Sequence, residues 1–213
     1  MFVFAHVGIT IGTSCIVSGI IIKRAKLHGK QLSGSDNIPF KNNIAEKTAS
    51  ISEQIGLSAL SRFLDIRVLM VGALVPDIID KPLSLFGFGN GRSITHTLLI
   101  FLIALSIGLY IFKYYKRTWP LPIVTGMLTH LILDSMWATP QTLLWPLYGW
   151  AFRVPDQRIG LGQIIIWWHN LISDPGVYIW EAIGILILTA FIVIIIHEKR
   201  FRTFLTKGII YKI

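Results

Sequence analysis

The chain has 213 residues, of which 53% are hydrophobic, and its mean hydropathy is +0.63. This composition excludes an ordinary soluble domain and indicates an integral membrane protein, so we predict one membrane-embedded all-α domain over residues 1–213 with about five transmembrane helices. The net charge of +9 is typical of cytoplasmic loops and lipid contacts, and the sequence lacks the alternating basic and aromatic runs of nucleic-acid-binding proteins. A single cysteine, Cys15, excludes an internal disulfide.

The first apolar run, Phe2–Ile22, has the length of one membrane-spanning helix. It lacks the basic start and the cleavage site of a signal peptide, so we predict a retained span. Small residues in this run allow close approach of another helix. They are Gly8, Gly12, Ser18 and Gly19.

The polar stretch over residues 23–56 is predicted to be a cytoplasmic insert. Its first half reads as a mobile loop, and His28 is best explained as a solvated loop residue. Its second half has the pattern of an amphipathic helix lying on the membrane surface, with apolar residues on one side. Those residues are Ile44, Ile51 and Ile55.

The second span is predicted over Leu57–Ile79, where Pro76 disrupts regular helix at its end. Asp77 and Asp80 follow at i and i+3 spacing. Two carboxylates at a membrane-embedded helix end repel each other unless a cation lies between them. The alternative is an ordinary helix end with solvated acids.

A glycine-rich turn over residues 81–92 leads to the third span, Ile94–Phe112, which has His96 near its start. The basic cluster at 113–117 ends that span at the membrane surface. The fourth span runs from Trp119 to about Trp137, and a loop follows to Pro175. Within the loop, Ile164–Trp168 is too short to cross and is predicted to lie at the interface. The last span is Gly176–Ile196.

The fourth span carries His130 and Asp134 one helical turn apart, on one helix face. Imidazole and carboxylate at this spacing are natural ligands of a divalent metal. Ionisable groups inside an apolar helix are expensive and indicate function by default. The alternative is a satisfied polar pair that joins two helices.

The positive-inside rule orients the predicted spans. With five crossings, sixteen of the twenty Lys and Arg residues lie on one side, which should be cytoplasmic. The N-terminus is then outside and the C-terminus is in the cytoplasm. This topology brings six candidate metal ligands from four helices to similar depth at the outer face, which favours a metal site. They are His6, Asp77, Asp80, His96, His130 and Asp134.

Two further residues stay open at this point. His169 lies in an outer loop, and Glu181 is an acid near the outer end of the last span. Glu181 is either a catalytic acid or a residue that hydrogen-bonds to one of the metal ligands and orients it.

The motifs VGALVPDIIDKP, GNGRSITHT, THLILD and LLWPLYGW resemble those of the membrane-bound metal-dependent hydrolase family, also known as the YdjM-like inner-membrane proteins. The resemblance covers about residues 6–149 without the polar insert. It implies functional roles for the six candidate ligands and for Arg92. Many members have a histidine just before this arginine, where this chain has Gly91. The resemblance implies an inner-membrane location and a metal-dependent hydrolase activity.

These features lead to a hypothesis of a hydrolase with one or two divalent metals, zinc first and manganese or magnesium as alternatives. Asp77 or Asp80 would bridge metals or act as general base, and Arg92 would hold a phosphate or carboxylate. A site at headgroup depth favours membrane lipid or another amphiphilic, lipid-linked or phosphorylated substrate. The sequence does not define an oligomeric state. A proton- or ion-coupled transporter and a non-catalytic protein with a structural metal are the alternatives.

Overall fold

The computed structural model describes residues 3–33, 65–152 and 160–208, and within them it contains helices and turns without strands. This confirms the prediction of an all-α membrane protein. The helices are α1 (Val3–Ser33), α2 (Ile66–Leu85), α3 (Leu98–Tyr115), α4 (Pro120–Leu133), α5 (Pro140–Leu143), α6 (Leu161–Ser173), α7 (Pro175–His197) and α8 (Phe201–Lys207). A 3₁₀ turn, Met136–Ala138, lies between α4 and α5.

Three of the described helices are long and apolar enough to cross a membrane: α1 through its segment Val3–Ile20, α3 and α7. Helix α4 has 14 residues, which at 1.5 Å per residue extend about 21 Å, less than the ~30 Å hydrocarbon core. Helix α2 has 20 residues but carries four charged side chains. Five crossings therefore stay a prediction where α2 and α4 are concerned.

Helix α1 continues past the predicted end of the first span at Ile22 and ends at Ser33. His28 therefore lies in a helix, and its prediction as a loop residue was wrong. Lys, Arg, Ala and Leu in this stretch are good helix formers and explain the continuation. The predicted amphipathic helix with Ile44 lies outside the described residues.

Helix α2 continues through Pro76 to Leu85, whereas the sequence predicted disruption at this proline. A proline removes one backbone hydrogen bond without ending a helix that neighbouring helices hold in place. Asp77 and Asp80 consequently lie on a continuous helix. The turn begins only after Leu85, and its three glycines adopt positive φ values, which glycine allows without strain. They are Gly87, Gly89 and Gly91.

Two helix pairs approach so closely that only glycine fits between them. A Cβ atom on Gly126 of α4 would lie 2.4 Å from the Leu69 carbonyl oxygen of α2. A Cβ atom on Gly8 of α1 would lie 2.2 Å from the Gly184 carbonyl oxygen of α7. The predicted close packing at Gly8 is thus confirmed, whereas a Cβ atom on Gly19 would meet none of the described residues within 4 Å.

Candidate metal centre

The six candidate ligands predicted from the sequence lie together in the fold. They come from the start of α1, the second half of α2, the turn before α3 and the end of α4. Each is buried, with an exposed fraction between 0% and 6%. The two close helix pairs bring these segments to one end of the bundle.

Asp80 holds His96 in a fixed orientation. Its carboxylate accepts hydrogen bonds from the backbone amides of Ser93 at 2.7 Å and Thr95 at 3.1 and 3.2 Å. It also lies 2.7 Å from His96 Nδ1. The Thr95 hydroxyl donates to the Pro76 carbonyl at 3.0 Å and ties the turn to α2. An ionised carboxylate only accepts hydrogen bonds, so Nδ1 of His96 carries the proton and Nε2 faces the cluster.

His130 is oriented in the same way by a backbone group. Its Nδ1 lies 2.7 Å from the carbonyl oxygen of Ala73 on α2. A carbonyl can only accept, so this nitrogen also carries a proton. The close contact of α2 and α4 at Gly126 brings His130 near enough to α2 to form this hydrogen bond with Ala73.

The Nε2 atoms of His96 and His130 lie 3.0 Å apart. In neutral rings whose protons are on Nδ1, both atoms present lone pairs to each other and repel. A positive charge between them removes the repulsion. Metal–nitrogen bonds of about 2.0–2.1 Å allow two atoms at this separation to bind one ion.

His6 adds a third imidazole. Its ring stacks on that of His130 with 3.9 Å between centroids. Its Nε2 lies 3.2 Å from Asp134 Oδ1, but neither ring nitrogen has a partner of hydrogen-bond geometry among the described residues. Buried polar atoms without partners are rare in native proteins and call for an explanation, such as a bound ion.

Asp77 and Asp134 supply the negative charge that faces the imidazoles. Asp77 Oδ1 lies 3.8 Å from Nε2 of both His96 and His130, and its Oδ2 pairs with Lys81 at 2.6 Å. Asp134 Oδ2 lies 3.6 Å from His96 Nε2 and 2.7 Å from Arg92 Nε. Each carboxylate thus faces the cluster on one side and a cation on the other.

The cluster contains two groups of three residues whose ligand atoms lie within 4.8 Å of one another. One group is His6, Asp77 and His130, and the other is His96, His130 and Asp134. Histidine nitrogen with carboxylate oxygen is a donor set that suits zinc and related divalent ions. The residues therefore fit a bound cation, and Asp80 lies behind His96 as its orienting partner.

His96 precedes α3, outside the candidate spans. Burial would lower its pKa, but Asp134 and Asp80 outweigh burial and raise the pKa above the usual histidine value. The surroundings of His96 therefore favour positive charge, carried by a proton or by a metal ion.

A cavity of about 260 Å³ adjoins the cluster. Asp77 and Asp134 line it from the cluster side, so two of the candidate ligands are accessible from this space. Gly91, where the resemblance implies histidine in other members, also lines it. Other lining residues include Lys81, Asn90, Arg92, Gln163, Trp167 and Asn170. A cation held by the cluster would thus border a space large enough for a small ligand.

Two residues left open by the sequence have defined places. Glu181 accepts hydrogen bonds from the backbone amides of Phe4 at 3.1 Å and Ala5 at 3.3 Å. It therefore fixes the first turn of α1, where unpaired amides need acceptors, and so positions His6. His169 on α6 is exposed and belongs to neither ligand group.

Sequence reasoning missed the residues that surround the cluster. Lys81 lies four residues after Asp77, a spacing that pairs side chains on a helix, but the sequence was taken to end the helix before it. Gln163, Trp167 and Asn170 share one face of α6 at intervals of four and three residues. That helical spacing was the available signal. It was missed because the prediction treated only Ile164–Trp168 as an interfacial segment, whereas the helix extends over Leu161–Ser173.

A sequence model of the family described as YdjM inner membrane protein matches residues 48–202, more than half of the chain. The chain belongs to this family. Membership places it in the inner membrane, in agreement with its apolar helices. The matched region contains five of the six candidate ligands and excludes His6. No curated protein matches the chain, and no solved structure does.

Proposed function

We propose that this YdjM-family protein is a membrane-bound hydrolase that uses one or two divalent metal ions, zinc in the first place. The observation that carries the proposal is the pair of buried three-residue groups that share His130 and border a cavity. A structural ion needs a closed set of ligands, whereas a catalytic ion keeps a position open to water. Contact between the carboxylates and the cavity supports the catalytic alternative.

The residues divide into ligands and residues that orient them. His6, Asp77, His96, His130 and Asp134 would hold the metal. Asp80 and the Ala73 carbonyl fix the protons of His96 and His130 on Nδ1 and leave both Nε2 atoms to bind. A bound divalent ion supplies Lewis acidity and an acidified water.

The remaining groups would bind and orient the substrate. Lys81 and Arg92 line the cavity and place positive charge beside the two carboxylates. Both side chains suit a phosphoryl or carboxylate group. Asp77 both faces the imidazoles and lines the cavity, so its carboxylate is the proposed acceptor of the proton from the attacking water. These features support a phosphorylated or lipid-linked substrate.

The metal content of purified protein tests the proposal. We expect wild type to retain divalent metal and both His130→Ala and Asp77→Ala to lose it. His169→Ala, which changes an exposed histidine, is the matched control and should retain wild-type metal. Negligible metal in all four proteins would refute the site. Full metal loading without hydrolysis of any phosphate ester would instead support a structural metal.

The proposed orientation places the cluster at the outer face of the membrane. A cysteine at Phe88, which is exposed in the turn after α2, should react with an impermeant maleimide added from outside when Cys15 is replaced by Ala. A cysteine at Arg202 of α8 should react only after the membrane is opened. The reverse pattern would overturn the orientation.

A further inference from the structure

A second cavity, of about 360 Å³, adjoins the Arg92–Asp134 ion pair. Arg92, Asp134 and Val177 line both this cavity and the one beside Asp77. The two spaces are therefore neighbours, next to the proposed metal site.

The two cavities differ in chemistry. Lys81, Arg92, Asn90, Gln163 and Asn170 give the first cavity two cations and three amide side chains. The carboxylates that pair with the two cations, Asp77 and Asp134, line it as well. A divalent ion held by these carboxylates would restore a net positive charge to the cavity. Such a lining offers hydrogen-bond donors to an oxygen-rich anion, and Arg and Lys are the usual partners of phosphate.

The second cavity has an apolar wall made by the end of α4 and the start of α7. Ile132 and Leu133 come from α4, and Val177 and Trp180 come from α7. Ile132 and Trp180 are about half exposed, at 50% and 45%. Both helices are apolar, so the wall that they form suits a hydrocarbon chain better than water, whereas Arg92, Asp134 and Ser135 line the rest of the cavity.

We infer that the ligand is a membrane-resident amphiphile with an anionic phosphoryl head group, and that its hydrocarbon chain lies between α4 and α7. This inference rests on the proposed function for the role of the head group at the metal site. The head group occupies the polar cavity beside Lys81 and Arg92. The chain passes the Arg92–Asp134 pair and leaves through the apolar wall into the bilayer. A free phosphorylated solute would leave this wall without a function.

Binding of two phosphonates to the metal-loaded protein in nanodiscs of neutral lipid tests this inference. Hexadecylphosphonate has a chain and methylphosphonate has none, and neither has a phosphoester bond to hydrolyse. We expect the long-chain compound to bind wild type at least about tenfold more tightly, because each buried methylene adds affinity. Equal affinity for the two compounds would assign the site to a water-soluble phosphate and overturn the inference.

Two substitutions one helical turn apart on α4 locate the chain. Ile132→Trp narrows the apolar cavity and should weaken hexadecylphosphonate binding about tenfold, while methylphosphonate binding stays unchanged. Leu128→Trp is the matched control, since Leu128 is 41% exposed but lines neither cavity, and it should bind both compounds as wild type does. Similar loss in the two variants would contradict the assignment.

A third variant tests the opposite wall, and further readouts separate the two proposals. Trp180→Ala on α7, at a residue that lines the apolar cavity and not the polar one, should weaken hexadecylphosphonate binding and leave methylphosphonate binding unchanged. Retained metal content and an unchanged elution profile identify variants that fold. If the protein binds phosphonates in a chain-dependent way but does not hydrolyse hexadecyl phosphate, the lipid site is supported and the hydrolase activity is refuted. If it hydrolyses short phosphate esters and the chain has no effect on binding, the hydrolase activity is supported and the lipid site is refuted.

Discussion

The two ends of α2 carry acidic residues in opposite circumstances. At its start, Asp65 caps the helix and pairs with Arg67 at 2.7 Å, a partner only two residues away. The side chains of Asp65 and Arg67 are 21% and 36% exposed. At the other end, Asp77 and Asp80 are buried, and their partners include histidines from α4 and from the turn before α3.

The difference lies in whether local sequence satisfies the charge. Asp65 has a neutralising neighbour two residues away, and Arg67 also donates to the Leu205 carbonyl of α8. Asp77 and Asp80 depend on distant residues, and the cluster around them still leaves the nitrogens of His6 without hydrogen bonds among the described residues. Burial of charge is expensive unless it is paired, so the second end is where a bound cation adds most.

The largest expected effect is on the turnover number, which should distinguish the two ends of α2. Asp77→Asn should lower the turnover number for a lipid phosphate by about 100-fold or more, because the proposed proton acceptor is lost. Asp65→Asn is the matched control. It makes the same change at the other end of α2, away from the cluster, and should leave the turnover number unchanged. The measurement is phosphate release by metal-loaded protein in mixed micelles. A change below about threefold in Asp77→Asn would remove this residue from the mechanism.

The next effect concerns stability. Asp80→Ala should lower the free energy of unfolding by about 3 kcal/mol or more, because it leaves three buried donors without an acceptor. Asp65→Ala removes a helix cap and should cost about 1 kcal/mol. Chemical unfolding in detergent, with chelator present so that metal does not contribute, measures both. Equal losses would show that burial does not distinguish the two ends.

A glycine substitution tests whether the buried end depends on its neighbouring helix. Gly126→Ala should push α4 away from α2, break the bond from His130 to Ala73 and destabilise the protein by about 1–3 kcal/mol. Gly19→Ala is the control, because the added Cβ atom would meet none of the described residues within 4 Å, and it should be neutral or stabilising. Thermal unfolding and metal affinity report the effect. Wild-type metal affinity in Gly126→Ala would contradict this dependence.

The smallest effect is a pH dependence of stability at the Asp65 end of α2. Burial would raise the pKa of Asp65, but Arg67 outweighs it and holds the pKa below its usual value. The stabilisation is thus fully present above the unfolded pKa of about 3.9 and is lost as pH falls through the lower folded value. The stability difference between wild type and Asp65→Asn should be constant from pH 7 to about 5 and shrink below about 4. An identical difference at pH 3 and pH 7 would exclude the ion pair as its source.

Sequence reasoning reached the helices and the ligands by different routes. Apolar runs predicted α1, α3 and α7, because lipid exposure selects long continuous hydrophobic stretches. Charge counting predicted that six ligands share one membrane face. Their distances depend on which helices meet, and the sequence predicted close approach at Gly8 without identifying Gly184 as its partner. The roles of the Ala73 carbonyl and of Glu181 could not be predicted from the sequence, because each role depends on a hydrogen bond between a backbone group of one helix and a side chain of another.

The hydrogen bonds from Phe4 and Ala5 to Glu181 have a consequence for the integrity of the site. They join α1 to α7, and the contact of Gly8 with Gly184 reinforces this junction. On its other side α1 meets α4, through the hydroxyl groups of Thr10 and Thr129 at 3.3 Å and through the stacking of His6 on His130. The position of His6 therefore depends on two helices at once, so damage to α7 should weaken metal binding although α7 supplies no proposed ligand.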